Sequence, residues 1–336
     1  MIQTLVATLM WALVASLLVF RHKRADRSIT YAAIAIAIAM TLNVDLVYTA
    51  VDPLLGGTNI ATLLADSLLM TGLFFLGRGV MKSGEYRPQL VRAALSAAML
   101  VTSLLAITVA FLLVKRGMTT TRFMSDLGAQ TATATYSIIN FAYGLLVVAT
   151  MLVLAVSQYR HSVGIQRLPA ALLTLGSAFG VALCLTVIAM DITHATDRLD
   201  VMYAVQPAYD PLSFLAFLFL CAGFAVQPAV RRAQHRARRR RTNALATQLE
   251  PLWNRATSLR PGLSQAGPVA SVTEDPEGHL HRMIVEIRDA MIDPRVTFNT
   301  STNDRDLLKD GETHLLGNDT AVATTSPAPK VEERGS

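Results

Sequence analysis

The chain has 336 residues, of which 52% are hydrophobic and 16% charged, with a formal net charge of +6 and a mean hydropathy of +0.41. Soluble domains carry about a quarter charged residues, so a water-soluble globular fold over the whole length is excluded. The apolar content is concentrated before Val230 and the polar content after it, which separates a part that buries its surface in lipid from a part that faces water.

A hydrocarbon core of about 30 Å needs ~20 helical residues. Seven stretches meet that requirement: Ile2–Phe20, Ile29–Val51, Ile60–Met81, Ala93–Val114, Thr131–Gln158, Leu168–Met190 and Pro211–Val230. Lipid offers the backbone no water to bond to, so each is read as a helix. Ala32–Met40 alternates Ile with Ala in a strand-like way, but its alanines and the long uncharged run favour helix.

Lysine and arginine in the short loops set the orientation. Arg21, Lys23, Arg24 and Arg27 follow the first stretch, and no basic residue precedes it. That is the pattern of an uncleaved first span with its N-terminus outside. Arg78, Lys82, Arg87 and Arg92 around the third loop end, and Arg160 and Arg167 after the fifth stretch, lie on the same side. So does the run Arg231, Arg232, Arg236, Arg238, Arg239, Arg240 and Arg241. The opposite loops hold no basic residue in Asp52–Asn59, three in Lys115–Gln130 and one in Asp191–Asp210. The expected fold is all-α: a seven-transmembrane helix bundle in the cell membrane, N-terminus outside and C-terminus cytoplasmic, with a small cytosolic helical module. Cys184 and Cys221 lie inside the sixth and seventh stretches. They have no disulfide or zinc spacing and are read as packing residues.

The expected domains are residues 1–230 in the membrane, residues 231–298 as juxtamembrane helix and module, and residues 299–336 as a disordered tail. The arginine run anchors a helix end against anionic headgroups, at about 1 kcal/mol per basic residue. That accounts for it without a nucleic-acid partner. Pro251 suits the first turn of a helix that Leu252 and Trp253 would dock. Arg260-Pro261-Gly262 breaks the chain, and Ser264–Gly278 reads as loop. Leu280, Met283, Ile284, Ile287 and Met291 then share one helical face. A core this small usually needs support. Leu252, Trp253, Met283, Ile284, Ile287 and Met291 are therefore the candidate contacts for a cytosolic protein partner or a second copy of the chain. From Asn299 the polar composition has few large apolar residues and reads as disordered.

Leu249-Glu250-Pro251-Leu252-Trp253, then Arg260-Pro261, then His281-Arg282-Met283-Ile284-Val285-Glu286-Ile287-Arg288-Asp289 resembles the cytosolic module of an actinobacterial membrane protein family. The lead-in to the third stretch, Asp52-Pro-Leu-Leu-Gly-Gly-Thr-Asn-Ile60, resembles it too. The resemblance implies seven membrane helices and a C-terminal domain of unknown function, in a family catalogued as transporters. It departs at His281, where a second arginine is common, and at Asp293-Pro294-Arg295, which replaces a more apolar ending.

Ionisable groups inside membrane spans are costly and therefore functional candidates. Asp45 lies six residues before the outer end of its stretch and Asp66 six residues after the outer start of the next. Both then sit ~9 Å below the outer boundary, where a shared proton or bound cation would relieve their repulsion. With Asn43 and Asn140 they form the candidate ligand pocket. The alternative is polar packing between helices. Asp52, Asp126, Asp191, Asp197, Asp200 and Asp210 read as an acidic outer rim. His194, His279 and His281 lack the partners of a metal site, and neither a metal nor another cofactor is expected.

The seventh stretch has no lysine for a retinal Schiff base. G-x-x-x-x-G-K-[ST], G-x-S-x-G, H-E-x-x-H and C-x-x-C are missing, so no enzymatic activity is expected. Two functions remain. One is a membrane sensor that couples the outer pocket, through the last span, to the cytosolic module. The other is a small-solute or cation transporter, for which Gly144, Gly176 and Gly180 are the only candidates for interrupted spans.

Overall fold

The computed structural model describes residues 2–21, 28–83, 89–259, 275–295 and 297–316. Residues 22–27 and 84–88 of two basic loops, the Arg260-Pro261-Gly262 break, most of the Ser264–Gly278 loop and residues 317–336 of the tail lie outside them. Every regular element among the described residues is helical. The chain divides into two compact units, Met1–Val230 and Arg231–Ser336.

The first unit contains α1 (Ile2–Arg21), α2 (Ser28–Leu42), α3 (Asp45–Val51), α4 (Ile60–Ser83), α5 (Gln89–Ala94), α6 (Ala97–Leu113) and α7 (Phe123–Leu127). It continues with α8 (Thr131–His161), α9 (Arg167–Ala195), α10 (Leu199–Val205) and the start of α11 (Tyr209–Leu259). Among the described residues, α1, α4, α8, α9 and α11 are long and apolar enough to cross a bilayer. These are the apolar helices of a membrane protein.

The second and fourth expected spans differ from continuous helices. The second is broken: α2 and α3 meet at 84°. Val44 is extended at φ −75° and ψ 123° and makes no side-chain cap for α3. The fourth is α6, of 17 residues, a helix about 26 Å long. Ser96 caps its start by accepting from the Met99 amide at 3.2 Å.

Small residues allow the close packing. Ala32, Ala33, Ala37 and Ala39 of α2 are fully buried. A Cβ on Gly72 of α4 would lie 2.4 Å from Ile36, and one on Gly79 would lie 2.5 Å from Ile29. The Ile/Ala alternation is thus a helix whose small face admits another backbone. A Cβ on Gly176 would meet the Leu220 backbone nitrogen at 2.7 Å, and one on Gly180 would meet Val148 at 2.9 Å. These glycines belong to continuous, tightly packed α9 and not to an interrupted span. Cys184 and Cys221 are buried, with the Cys221 thiol 3.5 Å from the Met10 sulfur.

The acidic rim is corrected at two positions. Asp52 is fully buried. Its carboxylate accepts from the amides of Asn59 and Ala61, both at 3.0 Å, and from the Thr119 hydroxyl at 2.7 Å. It is the hub of a turn in which Asn59 takes φ +62°, a conformation asparagine tolerates better than most residues. Asp191 lies inside α9 and is buried, because the helix runs on to Ala195.

The second unit packs the later turns of α11 against α12 (Pro276–Ile292) and α13 (Thr302–Leu315). Leu245, Leu249, Leu252 and Ala256 of α11 meet Leu280, Met283, Ile284, Ile287 and Ala290 of α12, with Leu308 of α13. Trp253 and Met291 are partly buried against the same cluster. The disorder expected from Asn299 is therefore corrected over α13. Ser301 and Asp304 form a capping box, and Leu307, Leu308 and Leu315 supply an apolar side that the polar average concealed. A Cβ on Gly311 would lie 2.9 Å from Ile284, which shows how closely α13 sits on α12. Polar bonds fix the arrangement: Trp253 donates to Glu286 at 2.5 Å, Thr242 and His314 are 2.9 Å apart, and Arg288 pairs with Glu312 at 2.8 Å.

Candidate functional site

The first unit contains a cavity of about 440 Å³. Asn43, Asp45, Asp66 and Asn140, the four residues singled out from sequence, all line it. The breaks and ends of helices position them. Asn43 follows α2 and Asp45 opens α3, so the bend between the two helices delivers both to the cavity. Asp66 comes from the second turn of α4, and Asn140 from α8, where it is buried. Leu69, Leu73, Phe217 and Leu220 form part of the apolar wall.

Asp66 accepts a hydrogen bond from the Tyr136 hydroxyl at 2.5 Å, and Asn140 is the other polar side chain beside its carboxyl. Asp66 and Asp45 line the same cavity, and the hydrogen-bond donor to Asp66 is the Tyr136 hydroxyl. The α2–α3 bend removes the continuous helix on which the equal-depth estimate rested. Asp45 is exposed.

Tyr136, Ser137, Tyr48 and Tyr209 also line the cavity and were not singled out from sequence. Tyr136 and Ser137 lie four and three residues before Asn140, on the same helical face. Tyr48 lies three residues after Asp45. Spacing from the chosen polar residues was the available signal. Tyr48 also ties the cavity to the buried turn: its hydroxyl is 3.0 Å from Asn59 Oδ1 and 2.8 Å from the Thr62 hydroxyl. Asn59 in turn donates to the Met118 carbonyl at 3.2 Å and accepts from the Thr120 amide at 2.8 Å. Thr120 donates to Asp126. The loop before α7 is thereby stapled beside the cavity. Arg122 brings a guanidinium to a lining that also holds the carboxyl groups of Asp45, Asp66 and Asp210.

The residues expected to contact a partner are corrected in the second unit. Leu252, Met283, Ile284 and Ile287 are buried in the unit's own core, and Trp253 and Met291 pack against it. Helix α13 covers the face that the sequence left open. Of the arginine run, Arg236, Arg238, Arg239, Arg240 and Arg241 are exposed, as is Arg232, while Arg231 is half-buried. Arg238 makes a two-pronged pair with Glu277 at 2.6 and 3.2 Å, so it serves the module as well as carrying charge. No group of three or more His, Cys, Asp and Glu side chains among the described residues could hold a metal ion.

Among the described residues, five helices long and apolar enough to cross a bilayer and a largely apolar cavity holding carboxyl groups and tyrosines define a membrane protein that carries a second, helical unit. Residues 231–325 match a protein family described as a family of unknown function, DUF6545. Searches of curated proteins and of solved structures find no match.

Proposed function

We propose that the chain is a seven-span membrane sensor, N-terminus outside and C-terminus cytoplasmic, that binds a small solute in the cavity and signals through the module at residues 231–316. One observation carries the reading. Tyr209, Asp210, Ser213, Ala216, Phe217 and Leu220 of α11 line the cavity, and Leu245, Leu249, Leu252 and Ala256 of the same helix form the module's core. A solute that favours one setting of the first turns biases the last ones. The ligand is a solute with an apolar body and a positive charge or hydrogen-bond donors, matching the carboxyl groups and tyrosines in an apolar wall. The exposed arginines sit at anionic headgroups. The partner is a cytosolic protein or a second copy, and it docks on surface residues of the module because the apolar core is covered. No reaction is assigned to the site.

The α2–α3 break favours a second reading, a transporter. Discontinuous helices mark transporter sites, and here Asn43 and Asp45 at the break line the cavity.

Crosslinking and pull-down from native membranes separates the two, comparing the full chain with one stopped at Thr242. A stoichiometric soluble partner lost on truncation supports the sensor. No partner, with the truncated chain still active in cells, favours the transporter. In either case the double substitution Asp45→Asn, Asp66→Asn abolishes the response or the transport without preventing membrane insertion. Normal behaviour of that variant would remove the cavity from the account.

A further inference from the structure

Among the described residues, five buried side-chain oxygens make no hydrogen bond, all of them on α8 and α9: Thr133 Oγ1, Ser137 Oγ, Tyr143 Oη, Ser177 Oγ and Asp191 Oδ2. Thr133, Ser137 and Asp191 lie toward one end of the pair. Thr133 is 0% exposed, Ser137 2% and Asp191 6%. Threonines elsewhere in these helices behave differently. Thr135, Thr150, Thr174 and Thr193 each donate to the carbonyl four residues back.

The helix register brings the three together. Gly144 meets Cys184, and Val148 meets Gly180, across the antiparallel α8–α9 pair. Two turns further along, the same register sets Ser137 opposite Asp191, and Ser137 is the polar side chain beside that carboxyl. Thr133 is one turn from Ser137 on the same face of α8.

We infer that Thr133, Ser137 and Asp191 form a binding site for a monovalent alkali cation, sodium in the first instance. A buried carboxylate is costly unless paired, and among the described residues no basic side chain forms an ion pair with Asp191. A proton alone would neutralise the carboxyl and give Ser137 a donor, but would leave the Thr133 oxygen unused. Hard cations take several oxygen ligands at once. One carboxylate with two neutral hydroxyls balances a single positive charge, whereas calcium sites gather several carboxylates. The ligand set contains no sulfur or imidazole, which argues against zinc and other soft-site metals. Ser137 also lines the cavity, so water can complete the shell from that side. The site is independent of whether the chain senses or transports.

The test is thermal unfolding of the full chain in detergent micelles, with sodium chloride exchanged for choline chloride at constant ionic strength. The expected result is a saturating rise in melting temperature with sodium and none with choline, as for any ligand that binds only the folded state. Asp191→Asn keeps the shape, removes the charge and melts at one temperature in both salts. Ser137→Ala removes one ligand oxygen and shifts the sodium midpoint upward about tenfold. Equal melting of the unsubstituted chain in sodium and choline overturns the inference, as does a response to pH alone. If Asp191→Asn fails to fold, an unshifted midpoint in Ser137→Ala overturns it.

Discussion

Asp52 and Asp66 are buried or half-buried carboxylates on either side of one turn, and their neighbours give them different work. Asp52 receives two amides and a hydroxyl, which fixes the backbone and leaves it nothing to offer a ligand. Asp66 receives the Tyr136 hydroxyl and keeps a place on the cavity wall. Asp52→Ala leaves those donors without an acceptor, at about 1–3 kcal/mol for each buried group. It is expected to lower the melting temperature in detergent more than Asp45→Ala, whose side chain is exposed. Tyr136→Phe removes a hydrogen bond to a carboxylate, worth about 1.5–3 kcal/mol. It is expected to weaken ligand response and stability together, where Asp45→Asn affects the response alone. A melting curve for Tyr136→Phe that overlays the unsubstituted one would show that the hydroxyl contributes nothing. Asn43, Asp45, Asp66 and Asn140 were legible because polar groups in apolar stretches are conspicuous. Tyr136 and Ser137 were not, because a tyrosine or serine in such a stretch is ordinary until the neighbouring helix is known. Asp191 was misjudged for a related reason. Loop boundaries drawn by hydropathy end a helix at its first charge, and α9 continues past it.

At the scale of elements, the long apolar stretches gave the helices of the membrane part, and the i, i+3, i+4, i+7 pattern gave α12. What was lost is what depends on contacts far along the chain. Nothing local forbids a continuous helix through Asn43, and α3 is turned aside where Tyr48 and Asp52 join the Asn59 network. Helix α13 hid behind its polar average, although Ser301 with Asp304 three residues on is a legible start signal. Ser301→Ala is expected to cost about 1 kcal/mol, read as loss of α13 helicity or earlier unfolding of the second unit. The Ser301 amide, then the Ser301 hydroxyl and Arg255, hold the Asp304 carboxyl below its ordinary pKa. A lowered folded-state pKa stabilises fully above about pH 4 and is lost as pH falls through the lowered value. The Ser301→Ala deficit should accordingly be largest near neutrality and shrink in acid. A deficit that grows with acidification would contradict the capping box. In the first unit, Gly72→Val would drive a branched side chain into Ile36 and the Ala32 carbonyl. Overpacking of this kind costs about 1–3 kcal/mol, and the same change at Gly117, with open space around it, should cost little.

For the whole molecule, the basic-residue asymmetry predicts which side each loop faces, and this can be mapped directly. Cys184 and Cys221 are buried and give little background. Thr196→Cys, between α9 and α10, should react in intact cells with a thiol reagent that does not cross membranes. Asn243→Cys, on the exposed side of α11, should react only after permeabilisation. The reverse pattern would invert the proposed topology. Helix α6 has a further consequence on that topology. It is about 4 Å shorter than an average hydrocarbon core, and Val101, Leu105, Val109, Leu112 and Leu113 along it are exposed. Lipid next to it must compress or the helix ends must sink, each at a fraction of a kcal/mol per Å. If α6 spans the bilayer as proposed, the protein prefers thin membranes on one flank, and its activity in reconstituted vesicles should fall as the acyl chains of the host lipid are lengthened.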